Sequence, residues 1–87
     1  MPAAQEIFEF MKELILNITD TEEEQIQPST RLEHLGLESM DLVELQITVR
    51  KKFGVEVGAR AFADGRLATL GDVVNYICDQ TTLKQAA

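Results

Sequence analysis

The sequence predicts an all-α fold, a small four-helix bundle with three main helices, one short helix and a long first loop, built by residues 1–87 as a single domain. Three observations predict it. Apolar residues recur at spacings of three and four over residues 3–18, 39–53 and 70–81, the period of a helix with one face against a core. Start and stop residues bracket those segments: Thr69 and Asp72 are spaced as a capping pair, and Gly54 follows a run ending in Phe53, as helix ends require. The one alternating stretch, Val55-Glu56-Val57, is three residues long, which makes it a connector and not a sheet strand.

In the first helix, Ile7, Met11, Leu14 and Ile18 fall on one line, flanked by Phe8 and Ile15, an apolar stripe of ordinary width. Pro2 sits at its start, where the ring is tolerated. Thr19-Asp20-Thr21 breaks the period, and Glu22-Glu23-Glu24 reads as a solvated turn. From Thr19 to Glu38 no helical period persists, apart from a possible turn at Arg31–Leu35. A connection that long is uncommon in a small domain unless it is pinned or functional. Ile26, Leu32, Leu35 and Leu37 supply the apolar pins, and Pro28-Ser29-Thr30 the turn chemistry.

The second helix, Ser39–Phe53, carries two apolar stripes. Leu42, Leu45, Val49 and Phe53 project to one side, whereas Met40, Val43 and Ile47 project to nearly the opposite side. A small domain turns only one of them into its core, so the other faces water or a transient partner. Ser39 sits at or next to the N-cap. Glu38 and Asp41 precede the positive end of the dipole, and Arg50-Lys51-Lys52 occupies the negative end. Ala59–Asp64 reads as a short helix anchored by Phe62 and stopped by Gly65. The last helix spans Leu70–Thr81, buries Leu70, Val73, Val74 and Ile77, and frays from Thr82.

Composition excludes several functions. Fifteen acidic against eight basic residues give a net charge of −7, unsuited to the phosphates of nucleic acid or an anionic membrane and suited to basic protein partners. The lone Cys78 rules out an internal disulfide and fits a reducing compartment, and no apolar run is long enough to span a bilayer or signal export, so the expectation is a soluble cytoplasmic domain. A monomer is the expected state, although no residue pattern sets it. No metal-ligand spacing is present, and His34 stands alone as a loop residue. Catalysis lacks parts as well. Gly36-Leu37-Glu38-Ser39-Met40 is not a G-x-S-x-G elbow, and no oriented base is evident for Ser39. The residues alone leave two readings of Ser39 open, an ordinary capping serine and an attachment point at a helix N-terminus.

Residues 35–53, Leu-Gly-Leu-Glu-Ser-Met-Asp-Leu-Val-Glu-Leu-Gln-Ile-Thr-Val-Arg-Lys-Lys-Phe, resemble the signature of acyl carrier proteins, which hold 4′-phosphopantetheine on the serine of a Gly-Leu-Asp-Ser-Leu motif. The likeness extends to the first helix, the long loop, the short third helix and Leu-x-x-Val-Val-x-Tyr-Ile at residues 70–77. It implies that Ser39 takes the arm from a phosphopantetheinyl transferase. It implies that Glu38, Met40, Asp41, Val43, Glu44 and Ile47 meet partner enzymes with basic docking patches, which load and use the acyl group. Leu42, Leu45, Val49, Phe53, Val57, Phe62 and Leu67 match positions that shelter an acyl chain, an additional use of residues that plain core packing describes in the resting protein. Glu38 and Met40 replace the usual aspartate and leucine, and Arg50-Lys51-Lys52 stands where common members are acidic. The expected function is delivery of an acyl thioester in fatty acid, lipid or polyketide-type biosynthesis, with no catalysis by the chain itself. The alternatives are an aminoacyl or peptidyl carrier and an unmodified helical interaction module.

Overall fold

The computed structural model describes residues 3–63 and 65–86. Four α-helices are present, α1 (Ala4–Ile18), α2 (Ser39–Phe53), α3 (Ala59–Ala63) and α4 (Leu70–Ala86), with short 3-10 turns at Glu23–Gln25 and Leu32–His34 in the long first loop. There is no strand among the described residues, only an isolated bridge between Arg31 and Thr69. The expected all-α bundle is therefore the fold. Pro2 and Asp64 lie outside the described residues.

Each helix buries one stripe. On α1 the fully buried positions are Ile7, Met11 and Ile15, four residues apart, so the stripe centre is shifted from the expected line, Leu14 packs at its edge and Ile18 is only half-buried. Leu45 and Val49 enter from α2, and Leu70, Val73, Val74 and Ile77 from α4, as their spacing predicts. Val55 and Val57 of the connector are also buried, which explains their alternation without a sheet. At the far end of α2, Phe53 meets Phe10 of α1 edge-on at 5.2 Å between ring centroids, and Lys52 Nζ lies 5.8 Å from the Phe10 ring, a favourable aromatic and cation–π arrangement.

The long loop is pinned by backbone as well as by its apolar residues. Leu32 N–H donates to the Ala68 carbonyl at 2.9 Å, Leu70 N–H to Thr30 at 2.9 Å, and Gly71 N–H to Pro28 at 2.8 Å. At the other end, the Thr21 hydroxyl donates to the Leu35 carbonyl at 3.0 Å. Ile26, Leu32 and Leu35 are buried beneath these bonds. Thus the segment that enters α2 hangs from the start of α4, and Gly36, at φ 69°, makes the left-handed turn that aims it.

The start of α4 is capped as its spacing predicts. Asp72 Oδ2 accepts from the N–H groups of Thr69 at 3.0 Å and Ala68 at 3.1 Å, and Asp72 N–H donates to Thr69 Oγ1 at 3.2 Å. The end of α4 differs from expectation, because the helix continues from Thr81 to Ala86. No glycine or proline interrupts residues 82–86, and the Thr81 and Thr82 hydroxyls both donate to the Cys78 carbonyl, at 2.9 and 3.0 Å.

Two predictions test this architecture. A Cβ on Gly71 would stand 2.9 Å from the Pro28 carbonyl oxygen, so Gly71→Ala should destabilise by about 1–3 kcal/mol in urea titration, against the ~1 kcal/mol gain that helix propensity alone predicts. Asp72 is held below the usual carboxylate range, chiefly by the Thr69 N–H. Its contribution is present above the unfolded value of 3.8 and is lost as pH falls through the lower folded value. Asp72→Asn should accordingly lose less stability than the native chain between about pH 5 and pH 2, as followed by circular dichroism.

Candidate functional site

The site is the start and outer face of α2. Ser39 is the first helical residue, and Glu38, with extended backbone, takes the N-cap. Glu38 N–H donates to Asp41 Oδ2 at 3.1 Å. The expectation that the Ser39 hydroxyl would satisfy an orphan amide is thus replaced: the acidic pair arranges this end of the helix. Among the described residues the hydroxyl has no hydrogen-bond partner, and the side chain is exposed. Three consecutive positions, Glu38, Ser39 and Met40, face solvent.

Below Ser39 the helix shows its two faces. Leu45 and Val49 are 0% exposed, while Met40, Val43 and Ile47 are 82%, 52% and 45% exposed. These three are the exposed large hydrophobic residues of the described chain. Glu44 is exposed among them, and Asp41 is half-buried on the flank. The outward positions therefore form one continuous surface that starts beside the free serine hydroxyl.

A polar groove adjoins the helix start, lined in part by Thr19, Asp20, His34, Gly36, Glu38 and Asp41. Its carboxylates oppose the positive helix end, and no lysine or arginine lines it. A phosphate joined to Ser39 would find free amides and the dipole but no cationic pocket. The residues fit a covalently joined phosphodiester that extends into solvent, and not a phosphate held by charge.

The seven apolar positions proposed to shelter a chain divide into several environments. Leu42, Phe62 and Leu67 line one open cleft of about 230 Å³ together with Leu37 and Ala68. Leu45 and Val49 are packed in the core, and Phe53 is engaged with Phe10 at the opposite end of α2 from Ser39. Val57 is buried but borders a second cleft, about 250 Å³, with Gln46, Ile47, Arg50, Glu56 and Gly58. Leu37, expected as a loop pin, and Arg50, expected at the basic end of the helix, each line a cleft that the sequence did not assign to them. Leu37 enters its cleft through the loop, where no periodicity announces it, whereas the helical position of Arg50 next to Ile47 is readable by rotation alone.

No group of three or more histidine, cysteine or acidic residues could hold a metal ion among the described residues, and no described helix is long and apolar enough to cross a membrane. Residues 9–77 match the family described as "Phosphopantetheine attachment site". The chain is 33% identical over 72 residues to the acyl carrier protein of Wolinella succinogenes, covering 82% of this chain and 92% of that protein. The acyl carrier protein of Thermotoga maritima is 33% identical over 78 residues, 88% of this chain and 94% of the relative. That of Clostridium perfringens is 34% identical over 76 residues, 86% and 97% of the two chains. An acidic helical bundle of this length, with a two-faced helix and matches over most of both chains, belongs to the acyl carrier protein family, whose cofactor is covalently attached 4′-phosphopantetheine.

Proposed function

We propose that Ser39 is the attachment residue and that this protein carries an acyl group as a thioester, delivering it to enzymes of fatty acid, lipid or polyketide-type biosynthesis without catalysing a step itself. The observation that carries this reading is the exposed, unpartnered Ser39 hydroxyl at the head of the outward apolar stripe. Ser39 Oγ bonds to the pantetheine-side phosphorus of coenzyme A as the diphosphate P–O bond breaks, so the phosphopantetheinyl group joins Oγ and adenosine bisphosphate departs with the proton that the hydroxyl gives up. The bound arm supplies a terminal thiol for the thioester. The chain supplies orientation: α2 is fixed by Leu45 and Val49, so whatever docks on Met40, Val43 and Ile47 is placed next to the arm's root.

The magnitudes favour brief visits. Complete burial of those three side chains contributes about 5–9 kcal/mol, at ~1.5–3 kcal/mol each, against an association cost of about 4–15 kcal/mol. The stripe therefore gives weak binding, to which Glu38, Asp41 and Glu44 add attraction for basic groups on the transferase and on the acyl-loading and acyl-using enzymes. Tethering then raises the local concentration of the thioester at each docked active site. The cleft of Leu42, Phe62 and Leu67 is the proposed entry for a sheltered acyl chain. At about 230 Å³ it is smaller than ordinary small-molecule pockets, which begin near ~300 Å³, so a longer chain requires the packing around Leu45, Val49, Phe53 and Val57 to part.

Incubation with a phosphopantetheinyl transferase and coenzyme A should add one 4′-phosphopantetheine to the native chain, seen in the intact mass. Ser39→Ala should add none while unfolding within about 0.5 kcal/mol of the native chain, because the hydroxyl makes no bond. An unchanged mass for the native chain would favour the unmodified interaction module.

A further inference from the structure

The outer face of α2 does not end at Ile47. Projected down the helix, Arg50 and Lys51 lie within about 60° of Ile47, as do Val43 and Glu44, whereas Lys52 is turned about 140° away. Lys52 is correspondingly found over the Phe10 ring. Arg50 and Lys51 are both exposed, and neither is in an ion pair among the described residues. Arg50 borders the cleft of about 250 Å³ whose other lining includes Ile47, Val57 and Gly58. Glu56 borders the same cleft, yet it makes no ion pair with Arg50. Glu44 likewise stands unpaired on the arm side of Ile47.

Helix-end electrostatics explains only part of this arrangement. Cations at the last turn suit the dipole, but Lys52 alone would serve that purpose and also pack on an aromatic ring. Two additional cations, set on the apolar docking stripe and left unpaired, place positive charge on the surface that a partner covers. The sequence of features along the exposed face is acidic at Glu44, apolar at Ile47, then basic at Arg50 and Lys51. From Glu44 to Lys51 the separation is about 10 Å along the axis, roughly two turns.

We propose that this face is a charge-divided docking surface, fitted to a protein partner that sets a basic group against Glu44, an apolar side chain against Ile47, and a carboxylate against Arg50 and Lys51. The inference rests on the docking role assigned to α2 under the proposed function. It selects against partners whose patch is basic throughout, because their far end would meet Arg50 and Lys51 as like charge. The same division fixes direction, since a partner docked end for end would oppose charges at both ends.

Two helical peptides test it, one with arginine, leucine and glutamate at successive turns and one with the glutamate replaced by arginine. Each is titrated at low salt into the isotope-labelled full chain, and amide shifts are read by NMR. The divided peptide should bind about 3- to 10-fold more tightly, with shifts at Glu44, Ile47, Arg50 and Lys51. The double variant Arg50→Glu/Lys51→Glu should reverse the preference, and its unchanged circular dichroism would show that it folds. Equal binding of both peptides, binding of neither, or preference of the native chain for the all-basic peptide would overturn the proposal. The titrations use the unmodified chain, so failure of the carrier reading, seen in the mass experiment, is distinguishable from failure of this one.

Discussion

The rotation of α2 about its own axis is the constraint on which the rest of the molecule depends. Leu45 and Val49 are wholly buried in the one apolar core that also holds residues of α1, the connector and α4, and removing either from the core would leave a cavity costing a large fraction of a small domain's stability. With those two side chains fixed, helix geometry leaves Met40, Val43 and Ile47 no route inward. Their exposure is thus a consequence of core packing elsewhere on the same helix. The hydrophobic effect that folds the chain also maintains an unsatisfied apolar surface on it.

What precedes α2 is held with comparable care. The long loop exchanges backbone hydrogen bonds with residues 68–71 and takes a side-chain bond from Thr21 to Leu35. These attachments secure the chain up to Leu35, immediately before the turn at Gly36, so the segment that leads to Ser39 starts from an anchored base. The capping work at this end belongs to Glu38 and Asp41. A serine that capped its own helix would have its hydroxyl occupied. Here the acidic pair leaves that hydroxyl available, and the same carboxylates make the surface around the helix start negative.

Much of this was legible in the sequence, because the governing physics is local. The two stripes of α2 follow from spacing alone, and Thr69 with Asp72 marks the start of α4 by residue type and separation. The long loop was legible only as something that needed pins, since the bonds from Leu32, Leu70 and Gly71 join residues about 40 apart in the chain, and no periodicity encodes them. Residues 82–86 read as a frayed tail because they are weakly periodic, whereas the helix runs on to Ala86 with no glycine or proline to stop it. The residue types put Ser39 at or next to the N-cap, and it is the first helical residue, but they do not assign the acceptor for the Glu38 N–H. The apolar pattern also grouped Phe53 with Leu42, although Phe10 engages Phe53 far from the cleft that Leu42 lines. A one-dimensional pattern records which side of a helix a residue occupies; it does not record what the neighbouring helix brings there.

The central claim is that α2 presents one apolar face to the core and a second to water in the free protein. Solvent paramagnetic relaxation of side-chain methyl groups, measured by NMR with a soluble nitroxide, tests it most directly. The methyls of Met40, Val43 and Ile47 should relax strongly while those of Leu45 and Val49 stay protected. Protection of Met40, Val43 and Ile47 equal to that of Leu45 would contradict the account.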